Sequence, residues 1–375
     1  MSKGRSLAPT MSLVAITDTT QGIPDAACAA VDAACNPESL FSGRNTLVKP
    51  CLAGNWVHPE LLRGLITRLL DAGARVTVGE ASFVYKPEQM RKMFERAGTK
   101  QVCEELGVRL VDLNSDEPVD VDIGGKVVDS LRIARTVVES EAICNIAHLH
   151  THPQVRVTFS LKNIKGVIHM EDKRKVHWLG LEQGIVDMNS RFPCALGIID
   201  AIKPYDLASD RHVEMNLALS STDLVALDAT ACRLIGCDPR RIRHITLAHE
   251  HGMGELHEIE IVGERISDHA VEFGDPSGPL DFRAYQISIV EDGGCSGCYA
   301  HLREAYRSLR EGVEERMPDV TVYMGKFVEL PDHPPANSIA VGACAASRCR
   351  GKMLKVRGCP PSMRDLRDAL ESLAE

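Results

Sequence analysis

The residues with the clearest chemical potential are cysteines in the last third of the chain. Cys295 and Cys298 form a Cys-Ser-Gly-Cys pair, and Cys344, Cys349 and Cys359 follow at wider intervals. Thiolates bind soft metals, so an all-sulfur shell points to zinc or to an iron–sulfur cluster. A structural zinc site usually has two Cys-x-x-Cys pairs, and this segment has one, so the spacing favours an iron–sulfur cluster. The alternative is a set of unrelated buried thiols, because free cysteine is often a small core residue.

Three motifs around these cysteines resemble a known cluster domain. In order, GGCSGCYAHL, NSIAVGACAASRC and VRGCPPSMRDLRDAL are similar to the proximal-cluster domain of nickel–iron hydrogenase small subunits and of the cluster-bearing respiratory complex I subunit. The resemblance covers about residues 283–375 and implies a [4Fe–4S] cluster. By position, its ligands would be Cys295, Cys298, Cys344 and Cys359. The family usually has glycines after Gly-x-Cys-Ala, and here Cys349 lies in that segment as an alternative ligand to Cys344.

A second group of polar side chains lies near the middle of the chain. It follows a predicted buried strand over 142–147, so it would lie at the carboxyl end of a sheet, where open α/β folds bind ligands. Its cations could hold carboxylates or phosphates, and a Lys or His with a shifted pKa could transfer protons. The predicted catalytic residues are Lys162, Asn163 and His169. The predicted substrate-binding residues are His148, His150, His152, Arg156 and Asp200.

Each of these residues also has a plainer explanation. Lys162 could be a surface ion-pair partner rather than an acid oriented by the amide of Asn163. The three histidines alternate and would share one face of a strand, which suits a metal or anion pocket as well as structural roles. His169 flanks a charged turn and could be a solvated loop residue. Asp200 ends a predicted strand, where ligand binding and helix capping are both open.

Four blocks in this part of the chain resemble the domain-of-unknown-function family 362. They are KPCLAGNWVHPELLRGLITRLLDAGARVTVGEAS, ICNIAHLHTHPQVRVTFSLKNIKGVIHMEDKRKVH, LGIIDAIK and LSSTDLVALDATACRLIGCDP, and they span about residues 45–255. The resemblance implies a fold and a site but no settled reaction, although members are often fused to, or encoded with, iron–sulfur domains. Family members commonly have Asn at the position of Cys51 and Lys at that of His148 or His150, which suggests a subgroup with its own substrate.

The elements that would position these residues alternate between strands and helices. The main ones are a helix from Pro59 to Gly73, a strand over 75–79, a helix over 87–106, a strand over 108–113, and a helix capped by Ser221 or Thr222 and closed by Gly236. Strands joined by crossover helices indicate a parallel sheet. We therefore predict an α/β fold, with a doubly wound, mostly parallel sheet in residues 1–280 and a small flavodoxin-like α/β domain in residues 281–375. A further division near residue 150 is an alternative.

Composition narrows the class of protein. The 375 residues are 44% apolar and 25% charged, as in ordinary globular proteins. A net charge of −9 argues against a broad nucleic-acid footprint, and 4% aromatic residues argue against stacking platforms for single strands. No apolar run approaches the roughly 18 residues of a membrane span, and the apolar stretch of the opening segment is too short for a secretory signal. Thirteen cysteines fit a reducing cytoplasm.

Together these features predict a cytoplasmic iron–sulfur oxidoreductase from an anaerobic or low-oxygen setting. Its [4Fe–4S] cluster would pass electrons from an external donor such as a ferredoxin to a small anionic substrate, and Lys162 or His169 would supply protons. Two alternatives are open: an exposed iron acting as a Lewis acid in a dehydratase or lyase reaction, and an electron carrier without chemistry of its own. A homo-oligomer is also open, whereas we expect neither a nucleic-acid partner nor a membrane.

Overall fold

A computed structural model describes residues 11–52, 55–81, 87–152, 155–274, 286–294 and 296–375 of the chain. These residues form two compact units. The first contains the described residues up to 151 together with 157–274, and the second contains those of 152–156 and 275–375. The predicted border between residues 280 and 281 lies outside the described residues and stays a prediction.

A sheet of ten strands forms the centre of the first unit. The strands of this unit are β1 (Ser12–Asp18), β2 (Asn45–Pro50), β3 (Arg75–Glu80), β4 (Arg109–Asp112), β5 (Pro118–Asp122), β6 (Ser130–Ala134), β7 (Ala142–His152), β8 (Arg156–Thr158), β9 (Leu196–Asp206), β10 (Arg211–His212), β11 (Leu217–Ser221) and β12 (Ile259–Gly263). The order in the sheet is β12-β1-β11-β9-β7-β2-β3-β4, with β10 beside β9 and β8 beside β7, while β5 and β6 form a separate pair. The strands from β9 to β4 in this order pair in parallel, whereas β11 is antiparallel to both of its neighbours. The α/β class and the large, mostly parallel sheet are therefore confirmed.

Helices α1 and α3 share one apolar core with strands β2, β3, β7 and β9. The helices of the first unit are α1 (Ile23–Ala34), α2 (Pro37–Phe41), α3 (Pro59–Asp71), α4 (Pro87–Arg96), α5 (Thr99–Leu106), α6 (Arg135–Val138), α7 (Ser160–Asn163), α8 (Met170–Leu179), α9 (Leu181–Arg191), α10 (Leu224–Leu234), α11 (Arg243–Glu250) and α12 (Ile266–His269). Two 3₁₀ turns cover Ile164–Val167 and Pro239–Arg241. No helix among the described residues combines the length and the apolar character needed to cross a bilayer.

Helix α3 follows the sequence prediction. It begins at Pro59, which suits the first helical turn, and His58 Nδ1 accepts a hydrogen bond from the amide of Glu60 at 3.2 Å. At Gly64, a Cβ atom would lie 2.3 Å from the carbonyl oxygen of Pro24 on α1. The missing side chain therefore lets the two helices approach each other closely.

Two sequence predictions of helix ends need correction. The single helix predicted over 87–106 is two helices, α4 and α5, because Gly98 takes a left-handed conformation with φ of 71° between them. The predicted caps of α10, Ser221 and Thr222, are also wrong. Asp223 caps this helix instead, since its carboxylate accepts hydrogen bonds from the amides of Val225 and Ala226.

The second unit contains a separate, fully parallel sheet. Its elements are β13 (Ile287–Glu291), α13 (Ser296–Arg307), β14 (Val320–Met324), β15 (Ser338–Val341), α14 (Gly342–Ala346), β16 (Leu354–Val356) and α15 (Met363–Leu373). The strands lie in chain order, β13-β14-β15-β16, and all pair in parallel. The predicted small α/β sheet is thus present, with strands in sequential order rather than the 2-1-3-4-5 order of flavodoxin.

We expect Gly64→Ala to lower the free energy of unfolding by about 1–3 kcal/mol, because the added methyl overpacks the contact between α1 and α3. An alanine at an uncrowded helix position would instead stabilise by up to about 1 kcal/mol, so the sign of the change tests the contact. Urea unfolding followed by circular dichroism measures it. Thr67→Ala in the same helix is the control and should change stability by no more than about 0.5 kcal/mol.

Candidate functional site

Two opposite charges meet at the carboxyl ends of neighbouring parallel strands. Lys49 lies near the end of β2 and Glu80 ends β3. The Nζ atom of Lys49 lies 2.6 Å from Oε2 of Glu80, and the two side chains are 2% and 3% exposed. Buried charges are tolerated when each has a close partner. This ion pair is the charged centre of the candidate site.

Asn163, predicted as an orienting amide, binds directly to this centre. Its Oδ1 accepts a hydrogen bond from Lys49 Nζ at 2.5 Å, and its Nδ2 donates to Asn145 Oδ1 at 2.7 Å and to the carbonyl of Ile146 at 3.1 Å. Asn145 in turn donates to the carbonyl of Ser160 at 2.7 Å. The network joins β2, β7 and α7. It therefore fixes the position of α7, which carries Lys162, relative to the two strands.

The segment after α7 passes close to the ion pair. A Cβ atom on Gly166 would lie 2.2 Å from Cε of Lys49 and 2.4 Å from Oε1 of Glu80. The carbonyl of Gly166 accepts a hydrogen bond from the amide of Ala81 at 2.9 Å, just beyond β3. Glycine is therefore required at this position because any side chain would displace one of the two charged groups.

Helix α7 is held at its amino end by a buried carboxylate. Asp228 on α10 is fully buried and accepts hydrogen bonds from the amide and the hydroxyl of Ser160 and from the amide of Leu161. Burial raises the pKa of Asp228 to about 7, although these hydrogen bonds oppose the shift. Asp228 thus positions the short helix that presents Lys162 and Asn163.

Lys162 is half-buried next to this network. Its Nζ donates to Thr158 Oγ1 at 3.2 Å, and no carboxylate in the described part of the chain forms an ion pair with it. Burial, reinforced by the positive charge of Lys49 and opposed by Cys51, lowers the pKa of Lys162 to about 8. An ammonium group with this pKa can both bind an anion and give up a proton near neutral pH.

Two further lysines are buried in the same segment. Burial lowers the pKa of Lys173 to about 7, and the negative charge of Glu80 opposes the shift. Lys165 Nζ lies 2.7 Å from Nε2 of His177. Burial and the charge of Lys165 lower the pKa of His177 well below its ordinary value, so the ring is neutral and accepts this hydrogen bond.

The three predicted histidines of β7 are all buried. The rings of His148 and His150 lie 5.7 Å apart between centroids, and His152 Nδ1 accepts a hydrogen bond from the amide of Val155 at 3.2 Å. Burial lowers the pKa of His148 and, more strongly, that of His150, where His148 and Lys162 add to the effect. Arg156 begins β8 in a left-handed conformation with φ of 69°.

His244 is a further buried imidazole that the sequence did not single out as part of this site. It lies on α11 with no exposed surface, and neither ring nitrogen has a hydrogen-bond partner among the described residues. Burial and the charge of Lys162 lower its pKa to about 3. The charge of Lys162 therefore acts on three neutral imidazoles, those of His150, His177 and His244.

Two further predicted site residues, Asp200 and His169, contact backbone groups. Asp200 is almost fully buried, and its carboxylate accepts hydrogen bonds from the amides of His58 at 2.6 Å and Ile202 at 2.9 Å. It therefore holds the start of α3, as the capping alternative allows. His169 precedes α8, and its Nε2 lies 3.1 Å from the carbonyl oxygen of Asn114.

In the second unit, three segments that carry predicted cluster ligands approach one another at the carboxyl edge of the small sheet: the first turn of α13 with Cys298, the short helix α14 with Cys344, and the turn after β16 with Cys359. The Sγ atom of Cys298 lies 2.9 Å from the position that a Cβ on Gly342 would take. The amide of Ala343, next to Cys344, donates to the carbonyl of Gly358, next to Cys359, at 2.6 Å. These two contacts bring Cys298 close to the start of α14 and join the segments of Cys344 and Cys359.

The fourth predicted ligand, Cys295, lies outside the described residues. Within the described part, no three side chains of His, Cys, Asp or Glu form a group that could hold a metal ion. Cys349 is buried in an apolar cluster with Tyr323 and Val328, and its Sγ lies 3.7 Å from the carbonyl oxygen of Gly351. Cys349 therefore packs as an apolar side chain in this cluster.

Sequence reasoning missed Lys49, Glu80 and Asn145, although a pattern was available. Each is a polar residue near the end of, or within, an otherwise apolar strand. In a parallel sheet such positions meet at one edge, where ligands commonly bind. Their pairing, however, depends on strand order, which the sequence pattern does not give.

The fold and the polar edge define an α/β protein with a cluster of buried lysines, histidines and amides at the carboxyl edge of its main sheet. Residues 45–233 match the model of the family described as Domain of unknown function (DUF362). The chain belongs to this family, and the predicted family span of 45–255 is confirmed over the matched residues. All of the polar network around Lys49 and Lys162 lies in the matched part except His244.

Two further similarities cover parts of the chain. The thylakoid-associated protein sll1697 of Synechocystis is 22% identical over 231 residues, which is 56% of this chain and 68% of that protein. The structure of the lactate racemase apoprotein from Thermoanaerobacterium thermosaccharolyticum is 12% identical, with a TM-score of 0.43, over 60% of this chain and 57% of that one. The chain thus spans less than two thirds of the racemase structure, and a likeness at this level carries no functional information.

We expect Glu80→Gln to lower the free energy of unfolding by about 3–5 kcal/mol, because it leaves the charge of Lys49 buried without its counter-charge. The double variant Lys49→Met/Glu80→Leu should regain most of that loss, since no unpaired charge remains. Urea unfolding at pH 7 measures both. Glu139→Gln, which removes a partner of an exposed ion pair with Arg135, is the control and should cost at most about 1 kcal/mol.

Proposed function

We propose that this chain is a [4Fe–4S] oxidoreductase that acts on a small anionic substrate in its first unit. The observation that carries the proposal is the approach of the segments that carry Cys298, Cys344 and Cys359 at one edge of the small parallel sheet. In the proposal, Cys295 completes the ligand set. The cluster, when bound, supplies single electrons.

The geometry of the segments that carry the cysteines supports this ligand set over a structural zinc site. The described ligands come from three separate segments around one sheet, namely α13, α14 and the turn after β16, rather than from two Cys-x-x-Cys pairs. Gly342 has a φ of 85° and Gly358 a φ of 135°, conformations that favour glycine. A Cβ on Gly342 would lie 2.9 Å from the Sγ atom of Cys298, and one on Gly358 would lie 2.4 Å from the Cα atom of Pro361. His301 ties the same region together, since its Nδ1 lies 2.7 Å from the carbonyl oxygen of Pro361.

The charges around Lys162 support a substrate that carries a carboxylate or a phosphate. Lys162 has no carboxylate partner among the described residues, while Lys49 is already paired with Glu80. The imidazoles of His150 and His244 are neutral and can exchange hydrogen bonds with substrate hydroxyl or carbonyl groups. An incoming anion would therefore pair with Lys162 and stabilise its charged form.

In the proposed reaction Lys162 is the proton donor. Its pKa of about 8 keeps it protonated at neutral pH while making it a stronger acid than an ordinary lysine. Asn163 and Asp228 are positioning residues, because they fix the two ends of the short helix that carries Lys162. His169, the other predicted acid, is less suited because its Nε2 is engaged with Asn114.

The proposal includes a reducing compartment and an external electron donor. Thirteen cysteines and a thiolate-held cluster are compatible with the cytoplasm of a cell that grows with little oxygen. A single cluster must receive its electrons from another protein or a reductant, because it stores only one at a time.

We expect protein purified without oxygen to contain about four irons and four acid-labile sulfides per chain and to give a cluster EPR signal after reduction. Cys359→Ser should lose or convert the signal, because it replaces a thiolate ligand. Cys349→Ser, at the buried thiol of the apolar cluster, is the matched control and should retain it. Zinc without sulfide in the wild type would refute the electron-transfer proposal.

We expect simple anions to bind at Lys162. Calorimetry with inorganic phosphate and acetate as probes should show about tenfold weaker binding for Lys162→Met, because one ion pair is lost. Binding to the wild type should also weaken as pH rises above about 8, where Lys162 becomes neutral. Lys92→Met, at an exposed lysine of α4, should bind as the wild type does; equal binding by both variants at every pH would contradict the site.

A further inference from the structure

An exposed aromatic side chain lies next to the segments that carry the proposed cluster ligands. Phe327 follows β14 and is 61% exposed, which is unusual for so large an apolar group. Its amide donates to the carbonyl of Asp292 at 2.9 Å, and its ring lies 3.1 Å from the position of a Cβ on Gly293. Phe327 therefore packs against the loop that leads to Cys295 while most of its ring faces solvent.

Positive charge is concentrated on the same part of the second unit. Between residues 348 and 357 the chain carries five basic residues and no acidic one, all exposed: Arg348, Arg350, Lys352, Lys355 and Arg357. We call residues 348–357 the basic segment. It connects α14, which carries Cys344, with the turn that carries Cys359. It also contains β16, the edge strand of the sheet.

Contacts of Arg348 place the basic segment next to Phe327 and the segments that carry the cysteines. Its Nε donates to the carbonyl of Cys344 at 3.0 Å, and its Nη2 donates to the carbonyls of Gly325 and Val328 at 3.3 and 3.1 Å. Lys326 Nζ lies 5.1 Å from the centre of the Phe327 ring and adds a further cation. An exposed aromatic group is thus bordered by cations beside the proposed cluster.

The positive charge of the basic segment is opposite in sign to the net charge of the whole chain, which is −9. None of the described carboxylates forms an ion pair with the five cations of the basic segment. The acids that follow Phe327 most closely in sequence are Glu329 and Asp332, and they are outnumbered. A local positive patch favours a partner with an acidic surface, because opposite charges steer the encounter and fix its orientation.

We propose that Phe327 and the basic segment form the docking surface for an acidic one-electron carrier protein of the ferredoxin type. The inference rests on the proposed function, since a carrier needs to dock where its electron can reach the cluster. Phe327 is the apolar centre of the contact, and the surrounding cations steer the carrier and fix its orientation.

The test measures binding of an oxidised acidic ferredoxin to the full chain by calorimetry at about 20 mM and about 300 mM salt. The charge-reversal pair Lys352→Glu/Lys355→Glu should weaken binding at low salt at least about tenfold and remove most of its salt dependence. The matched pair Lys92→Glu/Arg211→Glu makes the same change in net charge on exposed residues of the first unit. It should bind within about twofold of the wild type.

A second pair of variants tests the apolar centre. Phe327→Ala should weaken binding about tenfold at both salt concentrations, because the contact it removes is not electrostatic. Leu179→Ala, at an exposed leucine of the first unit, should have no effect. Neither Phe327 nor the reversed lysines supply a cluster ligand, so iron and sulfide content should stay unchanged in these variants.

Several outcomes separate this inference from the proposed function. If ferredoxin binds with the expected salt and variant dependence but the chain holds no cluster, the docking surface stands and the electron-transfer proposal falls. The inference is overturned if ferredoxin does not bind, or if both charge-reversal pairs weaken binding equally. It is also overturned if duplex DNA, rather than ferredoxin, binds and loses its binding in Lys352→Glu/Lys355→Glu.

Discussion

The buried ion pair of Lys49 and Glu80 is the interaction on which the candidate site depends. Two full charges lie inside the protein. Each neighbouring segment must therefore either donate or accept a hydrogen bond with one of the charged groups or leave space for both side chains. Asn163 completes the contacts of Lys49, and Gly166 avoids both side chains by having none. The path of the chain from β8 to α8 is therefore fixed by electrostatics rather than by apolar packing alone.

The same charges set the protonation of their surroundings. Burial, reinforced by the positive charge of Lys49, lowers the pKa of Lys162, and burial reinforced by the charge of Lys162 lowers the pKa values of His150 and His244, so both imidazoles are neutral. A bound anion reduces the repulsion among neighbouring cations, because it pairs with the cation that has no carboxylate partner. A buried cation such as Lys162 thus lowers the stability of the fold but increases the free energy gained when an anion binds. Such a trade-off is typical of functional sites.

The two compact units use the same geometric principle for different chemistry. In each, parallel strands end at a common edge, and the strand ends, helices and turns at that edge carry the candidate functional side chains. In the first unit these are lysines, histidines and amides, which suit anions and protons. In the second they are cysteines, which suit a soft metal centre. An exposed phenylalanine bordered by cations adds to the second edge a surface that suits a protein partner.

The sequence by itself determined the α/β class, the start of α3 at Pro59, the family of residues 45–233 and the place of Asn163 in a polar site. These follow from periodicity, local turn chemistry and motif order, which are properties of neighbouring residues. Only the tertiary structure decided that Lys49 meets Glu80, that Asp228 anchors α7, and that the carboxylate of Asp200 holds the start of α3. Each of these contacts joins residues that are far apart in the sequence. Strand order decides which side chains become neighbours, and burial decides whether they are charged. Neither of these is encoded by a local pattern of residues.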